Sequence, residues 1–273
     1  MGDTGKALER LVGIMKRLRE PNGCPWDREQ DLKSLRPYLI EECYEVLDEM
    51  DRVAFGGPWK PLAEELGDLL FQIVFHARLA EEQKEFDMAD VANAIADKIE
   101  RRHPHVFGDL KLQGSTAVLE NWAKLKADER KAKTGRAGSV LDGVPSGAPA
   151  LQRAERLTEK ASRIGFDWPD LKGVREKLSE ELAELDAAIA KGDKLEIDHE
   201  LGDVLFSLAN LARFLQTPAE DALRLANKRF VSRFSHLESK LDEKGIKFQK
   251  VPLEELNKLW DEAKHLEKTA GGA

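Results

Sequence analysis

Apolar side chains recur along this chain with the period of amphipathic α-helices. The first stripe follows i, i+3, i+4, i+7 spacing and comprises Leu8, Leu11, Val12, Met15 and Leu18. The same period predicts helices near residues 37–50, 62–79, 88–102, 152–164, 171–190, 195–215 and 218–240. Glycine and proline clusters separate these segments, and no segment alternates with the period of two that is typical of a strand. We therefore predict an all-α fold.

The second half of the chain repeats the first. EECYEVLDE and AEELGDLLFQIVFHARLA in the first half match SEELAELDA and DHELGDVLFSLANLARFL in the second. A repeat of this length indicates duplicated domains rather than a stacked array. Between the halves, residues 128–150 change from charged to Gly/Ser/Pro/Ala-rich, a composition typical of linkers. We predict two tandem helical-bundle domains, residues 1–127 and 151–273, joined by a linker at 128–150.

Composition narrows the class of protein. The 273 residues allow two domains, and the net charge of −8 argues against a general nucleic-acid-binding protein. No apolar run approaches the ~20 residues of a membrane span, and the start of the chain lacks the apolar segment of a signal peptide. Two cysteines do not make a disulfide framework. We expect a cytoplasmic protein with no nucleic-acid or membrane partner.

Pairs of acidic residues three positions apart recur on neighbouring predicted helices of both halves. These pairs are Glu42 with Glu45, Glu65 with Asp68, Glu181 with Glu184, and Glu200 with Asp203. Residues three apart are neighbours on a helix surface, and at ~100° per residue each pair lies at the edge of an apolar stripe, as does Glu49. Two antiparallel helices would thus bring four carboxylates together, which is unfavourable unless a cation lies between them. An all-oxygen ligand set suits Mg²⁺ or Mn²⁺.

A single Glu-x-x-Glu pair is usually only a solvated helix face, so the metal prediction depends on the matched and duplicated pairs. Gly67 and Gly202 lie between the acidic residues of the second pairs, where a mid-helix glycine costs ~1 kcal/mol relative to alanine. We take this cost as a sign that two helices approach closely beside the site. His103 and His105 flank a proline at a helix end, which favours a capping or loop role over metal binding.

The helix predicted at 62–79 is apolar on two sides. Leu66 and Ile73 lie in one apolar stripe, and Phe71 and Phe75 lie on the opposite face. The run 204–215 has the same character. A helix that is apolar on two sides needs two partners, so we predict that these faces form a subunit or domain interface.

The motifs EECYE…ELGD and SEELAE…ELGD, together with CPWD and RRHPHVFGD, resemble those of the all-α nucleoside triphosphate pyrophosphohydrolases of the MazG type. The resemblance covers nearly the full chain. It implies a homodimer of helical bundles that uses Mg²⁺ to hydrolyse nucleoside triphosphates at the α–β phosphoanhydride, giving nucleoside monophosphate and pyrophosphate.

By the same resemblance, the metal ligands fall on Glu181, Glu184, Glu200 and Asp203, and the substrate contacts on Lys177, Arg229, Arg233 and Trp260. Lys177 precedes Glu181 by one turn and can reach a metal-bound phosphate; the two arginines, also one turn apart, can clamp phosphate oxygens. Trp260 can stack on a base. The chain departs from the family pattern at one phosphate contact: Glu196 stands where relatives can carry a basic residue, and Lys194 is nearby but out of register.

The first half carries the metal pattern at Glu42, Glu45, Glu65 and Asp68, with Lys98 and Arg102 behind it. It has Tyr38 where the second half has Lys177, which leaves a weaker set of phosphate contacts. We therefore expect the second half to be the main catalytic site, with Glu181 or Glu184 accepting the proton of the attacking water.

Two other functions fit parts of the sequence. A di-iron carboxylate bundle uses Glu-x-x-His motifs from paired helices, and Glu196 with His199 has that spacing, but the first half has Pro61 and Glu64 at the equivalent positions. A helical scaffold or regulator with merely solvated carboxylates would show no Mg²⁺-dependent turnover.

Overall fold

The computed structural model of the chain describes residues 3–134 and 138–270. In order, its helices are α1 (Thr4–Arg19), α2 (Pro25–Glu29), α3 (Arg36–Ala54), α4 (Trp59–Glu82), α5 (Met88–Arg102), α6 (Pro104–Phe107), α7 (Gly114–Thr134), α8 (Ala150–Ser162), α9 (Leu171–Lys191), α10 (Lys194–Phe214), α11 (Ala219–Glu243) and α12 (Leu253–Ala270). A 3₁₀ turn at Phe248–Lys250 precedes α12. No strand occurs in these described ranges, and the predicted all-α fold is confirmed.

The chain divides into two compact units, residues 1–129 and 130–273. Helix α7 runs to Thr134, so the start of the segment predicted to be a linker is helical. Residues 135–137 of that segment lie outside the described residues. The limits 1–127 and 151–273 remain a prediction.

Each unit contains a helical hairpin whose turn follows from local sequence. In the second unit, Gly192 ends α9 in the left-handed region at φ 72°, which glycine adopts without a steric penalty. The next residue, Asp193, caps α10 by accepting from the backbone N–H of Leu195 at 2.9 Å. In the first unit, residues 55–58 connect α3 to α4. Both hairpins pack their two helices against each other.

The core of the first unit forms where α1 and α4 pack together. Its buried side chains are Met15, Leu35, Val74, Phe75 and Leu79, with Phe71 packed against them. By contrast, Leu66 and Ile73 are 48% and 39% exposed. The phenylalanine face of α4 therefore lies in the core of this unit, and the face with Leu66 and Ile73 is the more exposed one. Periodicity reveals two apolar faces but does not rank them.

The second unit exposes an equivalent stripe. Helix α10 packs against α8 and α9, and α11 packs against α12. On α10, Leu201, Leu205 and Leu208 are 45%, 46% and 43% exposed. In the sequence repeat these positions match Leu66, Leu70 and Ile73 of α4. Across the described ranges, no helix has both the length and the apolar character that crossing a membrane requires.

Candidate metal and nucleotide site

Three predicted metal ligands of the second unit meet between α9 and α10. One carboxylate oxygen from each of Glu181, Glu184 and Glu200 lies within 4.8 Å of the others. Glu181 is buried and Glu184 is exposed. Partial desolvation raises the pKa of Glu184, and the charges of Glu181 and Glu200 raise it further. The hairpin thus brings these carboxylates together against their mutual repulsion.

Asp203 extends this cluster along α10. It forms a second group with Glu200 and His199, again with ligand atoms within 4.8 Å of one another. The His199 Nδ1 atom lies 3.3 Å from an Asp203 oxygen and 3.9 Å from a Glu200 oxygen. Glu196, which a di-iron site would require beside His199, instead pairs with Lys191 at 2.9 Å. All four predicted ligands therefore lie in one patch, joined through Glu200.

Lys177 supplies a positive charge inside this patch. Its Nζ lies 2.9 Å from an oxygen of Glu180 and 2.9 Å from an oxygen of Glu181. The hydrogen bonds to Glu180 and Glu181 raise the pKa of Lys177 above its usual range. The lysine therefore stays protonated and acts as a counter-ion of the buried Glu181.

The first unit has the equivalent cluster without the lysine. Oxygens of Glu42, Glu45 and Glu65 lie within 4.8 Å of one another. Desolvation raises the pKa of Glu42, and the charges of Glu45 and Asp68 raise it further, so Asp68 lies close to the group. At the position equivalent to Lys177, Tyr38 packs edge-on against Trp26 with ring centroids 5.7 Å apart.

Both clusters offer the chemistry of a site for a hard cation. Nearly all of their donor atoms are carboxylate oxygens, which Mg²⁺ and Mn²⁺ prefer over the nitrogen and sulfur donors of zinc sites. The raised pKa values of Glu42 and Glu184 reflect negative charge that a divalent ion would compensate. The residues present therefore fit a divalent metal.

Apart from Lys177 on α9, the predicted substrate contacts of the second unit lie on α11 and α12. Arg233 pairs with Glu267 at 2.7 Å, and its guanidinium carbon lies 5.6 Å from the centroid of the Trp260 ring. Trp260 also packs against Phe230, with centroids 5.3 Å apart. Arg229, one turn before Arg233, is exposed. The structure thus joins Arg233 to Trp260 and adds Glu267, which sequence reasoning missed.

The first unit repeats this arrangement. Arg102 pairs with Glu129 at 2.6 Å and lies 6.0 Å from the Trp122 ring, while the Lys126 ammonium lies 3.8 Å from the same ring. Hydrogen bonds from Arg102 and Arg101 lower the pKa of Glu129 to about 2. Sequence reasoning missed Trp122, although W-x₃-K-x₂-E occurs both here and from Trp260 to Glu267.

Two further predictions concern Lys98 and the glycines of the two ELGD motifs. Lys98, one turn before Arg102 on α5, is half-buried beside a shallow groove that Ile95 and Phe86 also line. The expected role of the ELGD glycines was wrong: a Cβ added at Gly67 or Gly202 would meet no atom within 4 Å. These glycines therefore border open space and do not permit a close approach of helices.

Both carboxylate clusters lie in segments of the chain that match a known protein family. The family described as the MazG nucleotide pyrophosphohydrolase domain matches residues 30–107 and 171–238. A nucleoside triphosphate pyrophosphohydrolase of Escherichia coli K12 is 44% identical over 95% of this chain and 98% of its own length. A nucleoside triphosphate pyrophosphohydrolase/pyrophosphatase of Thermotoga maritima is 44% identical over 97% and 98%, respectively. One from Mycobacterium tuberculosis is 40% identical over 59% of this chain and 47% of its own length.

Proposed function

This chain belongs to the MazG family of nucleotide pyrophosphohydrolases, and on that premise we propose that it hydrolyses nucleoside triphosphates at the α–β phosphoanhydride with Mg²⁺, or Mn²⁺, as cofactor. The products are nucleoside monophosphate and pyrophosphate. The observation that carries the proposal is the meeting of Glu181, Glu184 and Glu200 within 4.8 Å, beside the ammonium of Lys177.

In this proposal, Glu181, Glu184, Glu200 and Asp203 hold the metal. A divalent cation held there would lower the pKa of a water and neutralise charge on the phosphates. Glu181 or Glu184 accepts the proton of the attacking water. The raised pKa makes the Glu184 carboxylate a stronger base, whereas Glu181 lies 2.9 Å from the Lys177 ammonium.

The basic and aromatic residues bind the substrate. Lys177 donates to a phosphate oxygen, which requires that its ammonium swing away from Glu180 and Glu181. Arg229 and Arg233 contact the triphosphate, and Trp260 stacks on the base. The salt bridge to Glu267 holds the Arg233 guanidinium beside the Trp260 ring, so the phosphate and base contacts are positioned together.

We place the main catalytic site in the second unit. Its carboxylates have a lysine within hydrogen-bonding distance, whereas the first unit presents Tyr38 there. Glu42, Glu45, Glu65 and Asp68 would still bind metal, and Lys98 and Arg102 would supply its phosphate contacts. The first unit would then bind nucleotides less strongly or with a different preference.

We also propose that the protein is a homodimer. The support is the exposed apolar stripe that is repeated on α4 and α10, in which each leucine or isoleucine is 36–48% exposed. Packing this stripe against a helix of a second copy would bury these apolar side chains. The unpaired state of Cys24 and Cys43 agrees with a cytoplasmic protein.

Turnover assays on the full chain test the activity. Wild-type protein is incubated with Mg²⁺ and each standard ribo- and deoxyribonucleoside triphosphate, scoring monophosphate and pyrophosphate against diphosphate and phosphate. Glu181→Gln and Asp203→Asn should each lower kcat by ~10²-fold or more, because each removes a proposed metal ligand. Glu176→Gln, an exposed position of the same helix α9, is the matched control and should keep activity.

Three results would contradict the proposal. Full activity of both variants would show that these carboxylates do not take part in catalysis. Diphosphate and phosphate as products would place the cleavage at a different bond. Absence of Mg²⁺-dependent turnover on every triphosphate would favour the scaffold function.

A further inference from the structure

Helix α3 carries a buried carboxylate at a position where its counterpart α9 has an alanine. Glu42, Glu45 and Glu49 follow one another at i, i+3 and i+7, so they lie on one face of α3. Glu49 is 6% exposed. The equivalent residue of α9 in the repeat is Ala188, which is 2% exposed. A buried carboxylate in the first unit therefore takes the place of a buried methyl group in the second.

One oxygen of Glu49 lacks a partner. Its Oε1 accepts a hydrogen bond from Arg52 at 2.5 Å, whereas its Oε2 is buried and has no hydrogen-bond partner within the described part of the chain. The Arg52 side chain is 69% exposed, so water screens its charge. A buried carboxylate oxygen without a partner is costly, and such an atom indicates a missing ligand.

Glu49 lies beside the carboxylate cluster of the first unit. It is one turn beyond Glu45, and its charge is one of those that raise the pKa of Glu65 on α4. Glu49 therefore adds a carboxylate on the same face of α3, next to the cluster of Glu42, Glu45 and Glu65. This makes the first cluster richer in negative charge than the second.

The two clusters also differ in their internal cations. In the second unit, the Lys177 ammonium lies 2.9 Å from Glu181. In the first unit, Tyr38 holds the equivalent position, and among the ion pairs of the described side chains none involves Glu42, Glu45 or Glu65. The first cluster thus combines the higher negative charge with the weaker compensation.

We propose that Glu49 is an additional metal ligand of the first unit and that this cluster binds a hard divalent cation without nucleotide. The second cluster, in which Lys177 contacts Glu181, binds its cation only together with a nucleotide. The inference rests on the proposed metal role of the carboxylates. Nucleotide phosphates would draw Lys177 from Glu181 and so free that carboxylate for the metal. The first half then binds its metal before any nucleotide is present, and the second half binds its metal together with the nucleotide.

Mn²⁺ titration of the full chain without nucleotide tests this, with free Mn²⁺ followed by its electron paramagnetic resonance signal. Glu49→Gln should weaken the nucleotide-free binding by ~10-fold or more, as expected for the loss of a ligand. The control Glu41→Gln removes an exposed carboxylate of the same helix and should leave binding unchanged. Glu181→Gln should also leave nucleotide-free binding unchanged, because that site lies in the other unit.

A second variant tests for a gain of Mn²⁺ binding. Lys177→Met removes the internal cation of the second cluster, so this variant should acquire nucleotide-free Mn²⁺ binding in addition to that of the wild type. Circular dichroism checks that each variant is folded. Unchanged Mn²⁺ affinity in Glu49→Gln, loss of nucleotide-free binding in Glu181→Gln, or no gain in Lys177→Met would each overturn the inference.

The outcomes also separate this inference from the proposed function. Mn²⁺ binding that depends on Glu49, in a protein that hydrolyses no triphosphate, would contradict the proposed function alone. Hydrolysis that depends on Glu181, with Mn²⁺ binding indifferent to Glu49, would contradict the inference alone.

Discussion

The attachment of α7 to the first unit should depend on the carboxylate of Glu129. This carboxylate accepts from Arg102 Nη2 at 2.6 Å and from Arg101 Nε at 3.0 Å. Replacing Glu129 by Gln keeps the size of the side chain and removes its charge. Both arginines then lose the ionised acceptor that ties α5 to α7.

The magnitude follows from the lowered pKa of Glu129. A fall from 4.5 to about 2, at ~1.4 kcal/mol for each tenfold change, sets an upper limit of about 3 kcal/mol. The side chain of Glu129 is 23% exposed and that of Arg101 is 56% exposed, so solvent screens much of this. We expect Glu129→Gln to weaken the attachment of α7 by ~1 kcal/mol at pH 7.

The pH dependence has a definite sign. Because folding lowers the pKa of Glu129, the stabilisation is fully present above the unfolded value of 4.5 and is lost as the pH falls through about 2. The difference between the wild type and Glu129→Gln should therefore be constant near neutral pH and shrink between pH 4.5 and 2.

Amide hydrogen exchange of the α7 peptides measures this local effect. A loss of ~1 kcal/mol corresponds to exchange that is ~5-fold faster, since ~1.4 kcal/mol is a factor of ten. Asp128→Asn, an exposed change on the same helix, is the control and should exchange like the wild type. The reasoning is refuted if α7 exchanges equally in the wild type and Glu129→Gln, or if Asp128→Asn has the same effect.

The remaining predictions concern the stability of the full chain in urea. Gly202→Ala should raise the free energy of unfolding by ~1 kcal/mol, because its Cβ meets open space in mid-helix. Gly192→Ala should lower it by ~1–2 kcal/mol, because φ is 72° there; changes of equal sign would contradict this contrast. Phe75→Ala should cost ~3–5 kcal/mol, because Phe75 is 1% exposed; a loss below ~1 kcal/mol would mean that the phenylalanine face is not the core.

Features that depend on local sequence were predictable. Helical periodicity identified α1, α3 to α5 and α8 to α11, but not the long helices α7 and α12. The Gly192-Asp193 pair marked the turn between α9 and α10 because each residue type suits its position. The spacing of Glu181 and Glu184 on one helix face follows from helix geometry alone. Their meeting with Glu200 needed only the further assumption that the two helices form a hairpin.

Features that depend on the environment of a side chain were not predictable. The pattern could not decide whether Leu66 or Phe75 faces the core, because both faces of α4 are apolar. The sequence showed that Gly202 lowers the stability of its helix, but it did not show that the space beside Gly202 is open. The partners of Arg102 and Arg233 were also missed, since Glu129 and Glu267 lie on later helices with no fixed spacing to them.

The turn at Gly192 and Asp193 makes the carboxylate cluster of the second unit a product of one short stretch of chain. Glu181 and Glu200 come together without the closure of a long loop, so the loss of chain entropy on forming their contact is small. Contacts of this kind form quickly, whereas the Arg233–Glu267 pair requires α12 to dock on α11. We therefore expect the acidic side chains to come together before α12 docks, so that their repulsion opposes folding from its early steps.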